Sequence, residues 1–80
     1  PRHPLHRLLA HDARGGDLVA TLTAWCRAGF DVSATAASLH LHPNTLRYRL
    51  RRAREISGID DTHPRQRLAL QLLLDPEAQR

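Results

Sequence analysis

The chain has 80 residues, a formal net charge of +4 and one cysteine, Cys26, so it can form one small domain but no disulfide of its own. No apolar run approaches the length that spans a membrane, and a lone cysteine fits a reducing, cytoplasmic location. We predict a single domain over residues 1–80. Because the sequence begins without Met or a signal peptide, we expect it to be a piece of a longer protein.

The first predicted helix is Pro4–Asp12, a short segment with apolar residues at helical spacing. Its apolar stripe consists of Leu5, Leu8 and Leu9. The Arg-Gly-Gly sequence at 14–16 then interrupts the pattern.

A stronger amphipathic helix is predicted at Leu18–Ala28, where Asp17 is placed to cap the first turn and Gly29 to end the last. Trp25 on its apolar stripe and Phe30 just after it supply most of the aromatic surface. We expect these two rings to anchor the core.

The centre of the chain, residues 31–59, predicts two helices joined by a tight turn. Ser33–Leu39 is a helix of small residues that Asp31 or Ser33 can cap. Pro43 suits the first position of the next helix, Pro43–Ser57, because its fixed φ is already helical. Gly58 suits the left-handed position that follows a helix. This arrangement is typical of a helix-turn-helix.

The last predicted helix, within residues 64–74, is apolar on nearly all sides. Thr62 or His63 can cap it, and the two acids at 60 and 61 can complement its N-terminal dipole. Leu68 and Leu72 face one way, and Leu70 and Leu74 face almost the opposite way. We expect one face to join the core and the other to contact a second copy or the rest of a longer protein.

The positive charge is concentrated in one helix. Between Pro43 and Ser57 there are five arginines and one acid, Glu55. The other seven arginines are matched in number by seven acids. Such a localised basic patch favours a polyanion as its partner.

Helical periodicity assigns the faces of this basic helix. At about 100° per residue, the core face holds Leu46, Leu50, Ala53 and Ser57. The first turns of the second helix of a helix-turn-helix enter the DNA major groove. Asn suits adenine, Arg suits guanine, and Thr offers a hydroxyl or a methyl group. The candidates for contacts with base edges are Asn44, Thr45, Arg47 and Tyr48. The candidates for contacts with phosphates are His42, Arg49, Arg51 and Arg52.

The stretch HPNTLRYRL, residues 42–50, resembles the HxNTLRYRL stretch in the C-terminal helix-turn-helix domain of PucR-type transcriptional regulators, and the resemblance covers about residues 5–74. Those domains are similar to the Fis-like DNA-binding domain. The resemblance implies a small all-α, five-helix bundle at the C-terminal end of a bacterial regulator. It also places the four base-edge candidates at the DNA-facing start of the second helix. His40 stands where many helix-turn-helix proteins have Gly, so we expect a modestly strained turn.

We therefore predict sequence-specific binding of double-stranded DNA, without cofactor or catalysis, by a domain that dimerises through its last helix or through upstream domains. The alternative is a protein-interaction module that uses the apolar helix 64–74, with Leu70 and Leu74 toward the partner. RNA is disfavoured because the chain lacks an aromatic stacking platform.

Metal and enzyme sites are not predicted. His3 with His6, and His40 with His42, are spaced as parts of a metal site could be, but no Cys pair or HExxH accompanies them. The sequence has no nucleophile elbow and no glycine-rich phosphate loop.

Overall fold

Five α-helices, without a β-strand, form the part of the chain that the computed structural model describes, residues 4–14, 16–75 and 77. They are α1 (Pro4–Asp12), α2 (Leu18–Arg27), α3 (Val32–Leu39), α4 (Pro43–Ser57) and α5 (Pro64–Leu74). The predicted all-α five-helix class is confirmed, and every predicted helix begins and ends within one residue of the observed bounds.

Helices α2 and α4 form the centre of the bundle. Helix α2 packs against the other four helices, and α4 packs against α1, α2 and α3. Every helix contributes to the buried apolar core, which consists of Leu8, Leu18, Leu22, Trp25, Cys26, Ala36, Leu46, Leu50, Ala53 and Leu70. Of the predicted apolar stripe of α1, Leu8 is fully buried but Leu9 is 54% exposed, because it lies about 100° around the helix from Leu8. Every described helix is too short or too polar to be a membrane-spanning segment.

The start of α2 is capped by a different acid from the one predicted. The Asp12 carboxylate accepts hydrogen bonds from the backbone N–H groups of Leu18 and Val19, at 2.8 and 2.9 Å. Asp17 occupies the cap position, but its side chain makes no capping bond. The chain reverses so tightly at Gly16 that a Cβ there would lie 2.5 Å from a ring nitrogen of His11. This reversal brings the end of α1 beside the start of α2.

A buried carboxylate ties the end of α4 to the rest of the core. The sequence predicts that both acids before α5 face its N-terminal dipole, but Asp61 turns inward and is 3% exposed. It accepts hydrogen bonds from Trp25 Nε1 at 2.8 Å and from Arg54 Nε at 2.5 Å. Its backbone oxygen accepts from Arg67 Nε, whose guanidinium lies 4.5 Å above the ring of Phe30. Phe30 in turn meets Trp25 edge to face.

Helix α5 has one face in the core and one in solvent, as expected. The face that the interaction-module hypothesis turns toward a partner is the one that packs in the core. Leu70 is 1% exposed and Leu74 packs against the core. The placement of these two residues toward a partner is therefore wrong, because they are the pair that α5 buries against its own domain. The large apolar residues of α5 left exposed are Leu68, Leu72 and Leu73.

Candidate nucleic-acid interface

The turn between α3 and α4 spans residues 40–42 and is fixed by its own backbone. His40 adopts the predicted left-handed conformation, with φ of 56°, and its N–H donates to the Ala37 oxygen. Leu41 N donates to the Ala36 oxygen at 2.9 Å. These bonds satisfy the last carbonyls of α3 and direct the chain into α4. Asp31, one of the two predicted caps, accepts from Ala34 N at the other end of α3.

Both ends of α4 are capped as the sequence indicates. His42 Nδ1 accepts a hydrogen bond from Asn44 N at 3.0 Å, and Pro43 occupies the first turn. Gly58 ends the helix with φ of 77°. Because His42 Nδ1 is an acceptor here, the proton of its neutral ring lies on Nε2, at the exposed start of the helix. The same His-Pro arrangement begins α5, where His63 Nδ1 accepts from Arg65 N.

The predicted faces of α4 agree with the structure. The four residues assigned to the core, Leu46, Leu50, Ala53 and Ser57, are all buried. The four candidates for base contacts, Asn44, Thr45, Arg47 and Tyr48, are all exposed. The basic helix therefore lies against the bundle along one face and presents the other to solvent.

Two contacts organise the exposed face. Arg47 Nη1 donates to Asn44 Oδ1 at 2.9 Å, so the two residues suited to guanine and adenine are already joined. The guanidinium of Arg51 lies 5.5 Å from the ring centre of Tyr48. Both contacts are exposed and can exchange for contacts with a ligand. They bring base candidates and a phosphate candidate onto one surface.

The arginines of α4 differ in how strongly acids hold them. Arg54, partly exposed, bonds to the buried Asp61, while Arg52 meets Glu55 in an exposed pair at 3.1 Å. Arg49, half-buried on the flank that faces the start of α2, bonds to Asp17 at 2.5 Å. Sequence spacing could not reveal the contact between Arg49 and Asp17, because the two residues are 32 positions apart and Asp17 lies at the start of another helix.

Metal-ligating side chains do not gather into a site in the residues that the structure describes. No group of three or more His, Cys, Asp or Glu residues within those ranges could hold a metal ion. His3 lies outside the described residues. Burial raises the pKa of the Cys26 thiol to about 11, which keeps it protonated at neutral pH. It packs as a small apolar side chain in the core.

The chain was compared with known proteins. It is 40% identical over 77 residues, 96% of its length, to a carbohydrate diacid regulator of Escherichia coli, of which the match covers 20%. It is 41% identical over 58 residues, 72% of its length, to an uncharacterised protein of Mycobacterium tuberculosis, of which the match covers 14%. The chain thus spans a small part of the relatives it matches. No solved structure gives a significant match. The model of the PucR C-terminal helix-turn-helix domain matches residues 18–75, and the chain belongs to that family.

Proposed function

We propose that this chain is the DNA-binding domain of a bacterial transcriptional regulator and that α4 binds the major groove of double-stranded DNA in a sequence-specific manner. The observation that supports this most is the exposed outer face of α4, where polar side chains and arginines suited to bases and phosphates lie together. The single domain would be the C-terminal part of a longer cytoplasmic protein. It would act without a cofactor and without catalysis.

The proposal assigns different tasks to two sets of residues on α4. Asn44, Thr45, Arg47 and Tyr48, in the first turns, contact base edges or align the helix in the groove. His42, Arg49, Arg51 and Arg52 contact phosphates, which position the helix without carrying sequence information. The name of the Escherichia coli relative, a carbohydrate diacid regulator, supports a role in regulation.

The division of tasks can be tested by measuring fluorescence anisotropy of labelled duplexes. Sites selected from a random duplex library provide the specific sequence, and an unselected duplex provides the comparison. Arg47→Ala should lose about 1–3 kcal/mol on the selected site and relax the preference at one position. Arg52→Ala should weaken binding to both duplexes alike. It should also make the slope of log K against log[salt] less steep by about one. Arg65→Ala, on the exposed start of α5, is the matched control.

The outcomes test DNA binding and the division of contacts separately. No binding of wild-type protein to any duplex at low salt would refute the function itself. Equal losses for Arg47→Ala and Arg52→Ala on selected and unselected duplexes would refute the division between base and phosphate contacts.

A second function, self-association, is favoured by the exposed apolar face of α5. Leu68 is 58% exposed and Leu72 is 48% exposed, on the face turned away from the core. One helix contacts a short site, so a homodimer would bind two half-sites about 34 Å apart or a multiple of that distance. Upstream domains of a longer chain could provide the same pairing.

Sedimentation equilibrium tests the role of α5. If α5 pairs two copies, wild-type protein should form dimers at high concentration and Leu68→Gln with Leu72→Gln should not. A strictly monomeric wild type would remove α5 from this role. It would leave the DNA-binding proposal intact, because dimers could still form through the longer protein.

A further inference from the structure

We infer that Asp17 competes with DNA phosphates for Arg49 and thereby lowers the affinity of the domain for any duplex. This inference rests on the proposed function. It concerns the flank of α4 that faces α1 and α2, where Asp17 and Arg49 line an open groove of about 280 Å³ together with Thr45, Tyr48 and Arg52. Four of these five residues are the base or phosphate candidates.

The contact between the two residues is close and directed. Arg49 Nη1 lies 2.5 Å from Asp17 Oδ2, and the two side chains are 27% and 55% exposed. A charge-assisted bond of this kind fixes the guanidinium toward the start of α2. A phosphate can take Arg49 only if the guanidinium leaves this carboxylate. Asp17 itself carries a negative charge beside the surface that would face the polyanion, so it also repels the duplex.

The Asp17 carboxylate makes no capping hydrogen bond to α2. Asp17 occupies the cap position of α2, but the capping bonds come from Asp12. Its backbone oxygen, which accepts from Thr21, is present whatever the side chain. Because the Asp17 side chain is 55% exposed, the ion pair adds little to stability. Asp17→Asn, which keeps the shape of the side chain, should therefore fold normally.

The expected effect follows from counterion release. Each additional phosphate neutralised steepens the dependence of log K on log[salt] by about 0.9. Freeing Arg49 should therefore raise the duplex affinity about eightfold at 0.1 M salt and about fourfold at 0.2 M salt. The gain should be the same on selected and unselected duplexes, because phosphates carry no sequence information.

The test is a salt titration of four proteins on the same labelled duplexes: wild type, Asp17→Asn, Arg49→Gln and the double variant. Asp17→Asn should bind more tightly than wild type, with the steeper salt slope. The same substitution made in the Arg49→Gln protein should give little gain, because no guanidinium is left to release. Glu77→Gln, which makes the same change in net charge beyond α5, is the control for long-range charge and should match wild type.

Each result bears on the inference. Unchanged binding by Asp17→Asn would overturn it. Weaker binding would also overturn it and would instead indicate that the acid orients Arg49 toward the phosphate. A gain that persists in full in the Arg49→Gln protein, or that Glu77→Gln reproduces, would also overturn it, since general repulsion would then explain the effect. If Asp17 had only a structural role, its replacement would not steepen the dependence of log K on log[salt]. Failure of wild type to bind any duplex would refute the proposed function itself.

Discussion

Replacement of Asp61 by alanine should destabilise the domain by about 1–4 kcal/mol. The variant removes the acceptor of Trp25 Nε1, and the indole is 5% exposed, so its N–H would be left buried and unbonded at a cost of about 1–3 kcal/mol. The side chain of Arg54 is 41% exposed and can turn to water, so the loss of its ion pair adds at most about 1 kcal/mol. The total free energy of unfolding of a domain of this size is about 4–12 kcal/mol.

Urea denaturation followed by circular dichroism measures this loss. Fluorescence is a poor probe, because the carboxylate touches the only tryptophan in the chain. Asp60→Ala is the neighbouring control: Asp60 is exposed and bonds to Thr62 within its own turn, so its replacement should cost far less. Trp25→Phe removes the indole N–H, and in that background Asp61→Ala should cost clearly less than in wild type.

Two results would refute this reasoning. If Asp61→Ala and Asp60→Ala cost the same, the inward carboxylate does not join α4 to the core. If the cost of Asp61→Ala is unchanged in the Trp25→Phe background, the unbonded indole is not its source.

Three further predictions concern single positions. Burial above all, with the nearby charges of Asp75 and Asp61, raises the pKa of the Cys26 thiol from 9.0 to about 11, so the folded state holds this proton more tightly than the unfolded state. The free energy of unfolding should therefore fall as the pH rises from about 9 to about 11, and urea titrations of Cys26→Ala should lack this part of the fall. Gly58→Ala should lower the melting temperature by about 4–8 °C, because a left-handed residue with a Cβ costs about 1 kcal/mol. His42→Ala removes the acceptor at the start of α4 and should cost about 0.5–2 kcal/mol in urea denaturation.

Local rules were sufficient to predict the helices and the faces of α4. Pro43 marks the start of that helix because it lacks an N–H and its ring clashes with a preceding turn, and Gly58 marks the end because it adopts a left-handed conformation. The 3.6-residue period places Leu46 and Leu50 in the core and Tyr48 in solvent. These features depend on residues within a few positions of one another, and a single sequence displays them directly.

Contacts between distant residues could not be predicted in this way. Asp12 and Asp17 are both suitable acids before α2, and sequence spacing favours the nearer one as the cap. The tight reversal at Gly16 instead gives the cap to Asp12 and leaves Asp17 free to meet Arg49. The inward turn of Asp61 depends in the same way on Trp25, which is 36 residues away.

These long-range pairs change what the charge of α4 implies for DNA binding. If all five of its arginines met phosphates, the slope of log K against log[salt] for one copy would be about −4.5. Arg54 pairs with a buried carboxylate and Arg49 with Asp17, which leaves three arginines of α4 without an ion pair to a distant acid in the part of the chain that the structure describes. We therefore expect a slope no steeper than about −2.7 for one wild-type copy. A slope near −4.5 would mean that both ion pairs open on the duplex, so that the distant acids do not restrain the basic helix.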